Sequence, residues 1–67
     1  MNKNYYTGII ICSDGSAKKY RDLPISKLKI FELWAVARFP NAHHVNYYDF
    51  KHNFVRQKKF VPDPGTG

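Results

Sequence analysis

Pro40 closes the only stretch of the chain with helical periodicity, Lys27 to Phe39, and strand-like segments lie on both sides of it. Proline lacks the N–H that a helix interior needs and steers the preceding residue away from helical geometry, so the helix must stop by Phe39. Before the helix, Tyr5 to Cys12 is rich in β-branched and aromatic residues and free of proline, which predicts a strand. Its two faces, Tyr5-Thr7-Ile9-Ile11 and Tyr6-Gly8-Ile10-Cys12, are both largely apolar, as expected of a central strand. Gly8 marks a bulge or a close backbone approach.

Ser13-Asp14-Gly15-Ser16 is a tight hairpin turn, because Asp and Gly both tolerate positive φ. Ala17 to Arg21 then returns antiparallel, with Lys18, Lys19 and Arg21 suited to an exposed edge and Tyr20 able to pack inward. Two starts for the helix compete. Asp22 could cap it with Pro24 in the first turn, or Ser26 caps it with Ile25 and Ile30 at hydrophobic-staple spacing; the second is favoured. After Pro40, strands are predicted at Val45 to Phe50 and Phe54 to Val61, joined by a turn at Lys51-His52-Asn53. Tyr47 and Tyr48 fall on opposite faces of the first of these. Two hairpins around one helix give an α+β fold of order ββαββ, an antiparallel sheet with the helix on one face. Residues 1–61 form a single domain in this reading, and 62–67 a flexible C-terminal tail.

With 67 residues there is room for only one thin core. At this length only about 60% of the unfolded surface becomes buried. An aromatic share of 16% compensates, since each buried ring removes a large apolar area from water. Cys12 is the sole cysteine, so no internal disulfide is available, which suits a reducing compartment. No basic start runs into a long apolar segment, and no run approaches the roughly 20 apolar residues of a membrane span. A cytoplasmic location without membrane attachment is therefore expected.

The helix has more apolar surface than one sheet contact needs. Ile30, Leu33, Trp34 and Ala37 follow the i, i+3, i+4, i+7 pattern and are expected to pack on the sheet. Leu28, Phe31, Ala35 and Phe39 form a second, displaced arc. Either the loops cover that arc, or Leu28, Phe31 and Phe39 stay exposed as a contact patch for a partner or a second copy of the chain. Lys27 and Lys29 occupy the first turn, where free backbone N–H groups and two ammonium groups could hold an anion; a solvated lysine pair is the plainer reading.

The net charge is +6, which favours anionic partners. Lys18, Lys19, Arg21, Arg56, Lys58 and Lys59 lie on the two hairpins, with Tyr20 and Tyr48 among the tyrosines near them. On an open sheet face such residues could hold phosphates and stack bases. Lysines on edge strands also block unwanted pairing, and tyrosine favours strands without any ligand.

Catalytic signals are missing from the sequence. Asp14, Asp22, Glu32, Asp49 and Asp63 are scattered, and there is no Gly-rich phosphate loop or Ser-centred elbow. His43 and His44 are read most plainly as lying at the helix–strand turn; adjacent histidines on a strand would point to opposite faces, and with His52 and Cys12 they lack the spacing of a metal site. The expectation is a non-enzymatic binding module without cofactor or metal. Its first candidate partner is nucleic acid or a nucleoprotein, bound through the basic, tyrosine-bearing sheet and its edge strands. The alternative is a protein-interaction module that inhibits or modulates a larger host complex, as small basic proteins of phages and mobile elements do.

Overall fold

The computed structural model describes residues 4–60. The expected tail, 62–67, lies outside the described residues. Strands β1 (Tyr5–Cys12), β2 (Ala17–Pro24), β3 (Ala42–Tyr48) and β4 (Phe54–Lys59) form one antiparallel sheet in the order β2-β1-β3-β4. A 3-10 turn, Ile25–Lys27, leads into the helix α1 (Leu28–Arg38). The chain is thus the expected ββαββ, with β1 central and β2 and β4 at the edges. Among the described residues no helix is long and apolar enough to cross a membrane.

The first hairpin closes at Asp14-Gly15. Gly15 takes φ +89°, and the Asp14 carboxylate accepts hydrogen bonds from the Ser16 N–H at 2.9 Å and the Ser16 hydroxyl at 2.7 Å. These bonds hold the Asp14 carboxyl below its usual range, the Ser16 hydroxyl contributing most. β2 runs past the predicted Arg21 to Pro24, because a bulge between Tyr6 and Gly8 absorbs the extra residue opposite Thr7. Asp22 adopts φ +58° at this irregularity. At Gly8, an added Cβ would sit 2.8 Å from Leu23 Cδ1 and 3.4 Å from side-chain atoms of Tyr47 and Val45. Glycine is there for the close approach.

Neither expected helix cap forms. Asp22 belongs to β2, and Ser26 lies inside the 3-10 turn. Pro24 precedes that turn in extended geometry, and Lys27 begins α1 with no side-chain capping bond. The start is fixed instead by the Ile25 N–H donating to the Asn4 carbonyl at 2.9 Å. Ile25 and Ile30 are both exposed, so no staple joins them. The helix ends as predicted before Pro40, with the Phe39 N–H bonded to the Ala35 carbonyl.

The core sits between α1 and one face of the sheet. Ile10 and Cys12 of β1, Ala42, Val45 and Tyr47 of β3, and Leu28 and Ala35 of α1 are buried. Tyr6, Tyr20, Leu23, Phe31, Phe39 and Phe60 pack around them. The helix is therefore rotated relative to expectation. Leu28, Phe31, Ala35 and Phe39 turn to the sheet; of the stripe expected there, Ile30, Leu33 and Ala37 are exposed, and only Trp34, itself 44% exposed, reaches it, edge-on to Tyr20 of β2.

Tyr47 decides that rotation. It is fully buried, and its hydroxyl donates to Glu32 Oε2 at 2.7 Å. A buried hydroxyl without an acceptor would cost about 1–3 kcal/mol. Satisfying it brings Glu32, and with it the flanking Leu28, Phe31 and Ala35, against the sheet. Phe31 then meets Tyr20 edge-on, with ring centroids 5.7 Å apart. Burial, and secondarily the Glu32 carboxylate, push the Tyr47 phenol well above its usual pKa. Replacing Tyr47 by phenylalanine removes the bond while keeping the ring. The expected loss, read from urea unfolding, is about 1–2 kcal/mol.

Candidate interaction surface

One helix cannot cover a four-stranded sheet. Strands lie about 4.8 Å apart, and a helix with its side chains is about 10 Å across. α1 lies over β2, where Phe31 and Trp34 meet Tyr20, and over β1 and β3, where Ala35 and Glu32 meet the core and Tyr47. β4 is left open, and all six of its residues are exposed. Between α1 and β4 runs a groove of about 480 Å³ lined by Lys29, Glu32, Leu33, Val36, Lys58, Lys59 and Phe60.

The helix presents an apolar arc above this groove. Leu33 is 70% exposed, Ile30 64%, Trp34 44% and Val36 40%. Scattered exposed apolar residues are ordinary; these four instead lie together along one side of the helix. The arc divides in two. Leu33 and Val36 wall the groove, while Trp34 leans the other way, packing on Tyr20 with centroids 5.4 Å apart and on Phe39 with centroids 5.9 Å apart. The sequence suggested one apolar arc too many, and the structure has one. The exposed members are not Leu28, Phe31 and Phe39, which are buried or half-buried against the core.

The basic residues divide between the two faces of the sheet. Across β1–β3–β4, Ile10, Val45 and Lys58 share the helix face, as do Gly8, Tyr47 and Arg56. On β2, Lys18 shares that face, and its ammonium sits 5.7 Å from the centre of the Phe39 ring. The Arg56 guanidinium sits 5.6 Å over Tyr47. Lys19 pairs with Ile9 on the face away from the helix, and Arg21 lines a hollow there with Thr7; Lys59, paired with His44, has the register of that face but, as the last residue of β4, also borders the groove. Of the tyrosines expected to stack bases, Tyr48 lies on that uncovered face, edge-on to Phe54. Tyr20 is held beneath α1 by Phe31 and Trp34 and does not belong to an open face. Lys27 and Lys29 are both exposed at the helix start, and Lys29 borders the groove.

His43 and His44 do not point apart as strand alternation predicts. A register shift opposite Ile11 and Cys12 leaves His43 as the extra residue. The two Nδ1 atoms come within 2.8 Å, so one ring donates a hydrogen bond to the other. Among the described residues no group of three or more His, Cys, Asp or Glu side chains is placed to hold a metal ion. The second hairpin loop is organised by Asp49, whose carboxylate accepts from the N–H groups of Lys51 and Asn53. The residue with positive φ in that loop is His52, at +66°.

Comparison of the chain with known protein families, with curated proteins and with solved structures finds no match.

His44 gives the stability of the fold a pH dependence. Burial, then the neighbouring His43 and Lys59, holds the His44 pKa below 6.5. The unfolded chain takes up that proton near its ordinary value while the folded chain resists it. The stability His44 contributes is therefore complete above about pH 6.5 and is lost as the pH falls below it through the folded pKa. Urea unfolding at about pH 7.5 and about pH 5 should show a loss on acidification that is smaller in a His44→Asn variant.

Proposed function

We propose that the chain is a non-enzymatic binding module that docks an acidic protein partner on the outward face of α1. The observation that carries this reading is the exposed arc of Ile30, Leu33, Trp34 and Val36 within a cationic surround. Burying a contiguous apolar arc is the driving force a protein partner supplies and a phosphate backbone does not. Lys27, Lys29 and Arg38 on the helix and Lys58 on β4 surround it, and the net charge of +6 favours an acidic counterpart. The one acid on the groove wall, Glu32, is engaged by Tyr47. A module of this type acts by occupying a site on a larger assembly, in the cytoplasm in this reading. Cys12, 3% exposed, needs no oxidising environment.

A second reading has its own support. Lys19, Arg21 and Lys59 with Tyr48 on the uncovered sheet face fit a nucleic-acid strand or the nucleic-acid groove of a nucleoprotein. The two readings separate by variants. In the first, a partner identified by mass spectrometry from nuclease-treated extract binds the purified chain, loses at least about tenfold in affinity with Ile30→Glu/Leu33→Glu, and keeps it with Lys19→Glu/Tyr48→Ala. In the second, the retained material is nuclease-sensitive, its affinity falls steeply with salt, and the sensitivity to the two double variants is reversed.

A further inference from the structure

We infer that the α1–β4 groove takes an acidic amphipathic helix of the partner, which lies beside α1 and completes a two-helix layer over the sheet. The inference rests on the reading of α1 as a protein-docking helix and adds where the partner sits and what form it takes.

Three observations converge on it. The first is space. α1 is placed over β2, β1 and β3, so the layer above β4 is open, and packed helices sit 8–10 Å apart. An axis roughly 8–10 Å from one centred over β1, the middle of those three strands, falls about two strand spacings away, over β4. The second is the chemistry of the walls. The α1 side offers Leu33 and Val36, and Phe60 closes one end. The positions of β4 that face the helix layer are Arg56 and Lys58, opposite Tyr47 and Val45. In a sheet sealed by its own helices these positions would carry apolar residues. Here the floor is cationic and the wall apolar. An occupant must therefore present apolar groups to α1 and carboxylates to β4, which are two faces of one amphipathic helix.

The third is charge. Lys29, Lys58 and Lys59 line the groove, Arg56 follows Lys58 on the same face of β4, and the acid lining the groove, Glu32, already accepts the Tyr47 hydroxyl. A second copy of this chain would bring its own cationic α1 and a net charge of +6 against these groups. Like charges across an interface select against that occupant. An acidic helix is attracted by the same groups.

The test titrates the isotope-labelled chain with two synthetic peptides of about 18 residues and identical leucine and glutamate content. One places leucine at helical spacing and the other alternates it at the strand period. The helical peptide should perturb the amide signals of Lys29, Leu33, Val36, Lys58 and Phe60 and gain helical circular dichroism on binding. Leu33→Glu or Lys58→Glu should each weaken it by about tenfold, whereas Ile30→Glu, on the far side of the arc, should change it less than about threefold. Leu33 and Lys58 are exposed, so these variants fold, and the amide spectrum of each confirms it. Equal or tighter binding of the strand-period peptide, or no binding of either, overturns the inference. Perturbation centred on Ile30 and Trp34 overturns the groove as the site while leaving α1 as a protein-docking helix. Perturbation centred on Ile9 and Tyr48 overturns both.

Discussion

The hydrogen bond from Tyr47 to Glu32 sets the rotation of α1, and the exposed surface follows from that rotation. A phenol at the centre of the core must find an acceptor, and the acceptor here is a carboxylate on the helix. Holding Glu32 over β3 turns Leu28, Phe31, Ala35 and Phe39 inward and leaves Ile30, Leu33 and Val36 outside. The Arg56 guanidinium, 5.6 Å over the Tyr47 ring, sets a positive charge beside the same phenol. One polar contact thus links the core, the helix and the β4 strand.

The same arrangement explains why the groove persists. A cationic floor at Arg56 and Lys58 cannot be covered by an apolar helix face without stranding charge. The chain leaves these positions open, and every residue of β4 is exposed. The edge lysines also block promiscuous strand pairing. In the proposed docking, protection of the edge and charge selection of the partner come from the same residues.

Much of the fold was legible in the sequence. The two faces of β1, the Asp14-Gly15 turn, the stop at Pro40 and the opposite facing of Tyr47 and Tyr48 all follow from local rules of periodicity and turn chemistry. The rotation of the helix did not. Periodicity reveals two apolar arcs without saying which one meets the sheet, and Glu32 reads as a mark of solvent until its partner is known. A buried tyrosine on a central strand, needing an acceptor from the helix, is the signal that could have found it. Tyr20 could pack inward or serve as a stacking residue on an open face; Phe31 and Trp34 of the helix take it inward and so withdraw it from the open surface. The meeting of His43 and His44 escaped for a different reason, since it depends on a bulge that strict alternation does not allow.

The central claim is the rotational setting of α1, and paired truncations test it most directly. In urea unfolding, Phe31→Ala should cost about 2 kcal/mol or more, because Phe31 is packed against Tyr20 and the core. Leu33→Ala should stay within about 0.5 kcal/mol, because Leu33 faces solvent. A large cost at Leu33 with little at Phe31 would mean that the helix sits on its other arc, and the account of the exposed surface would fall with it.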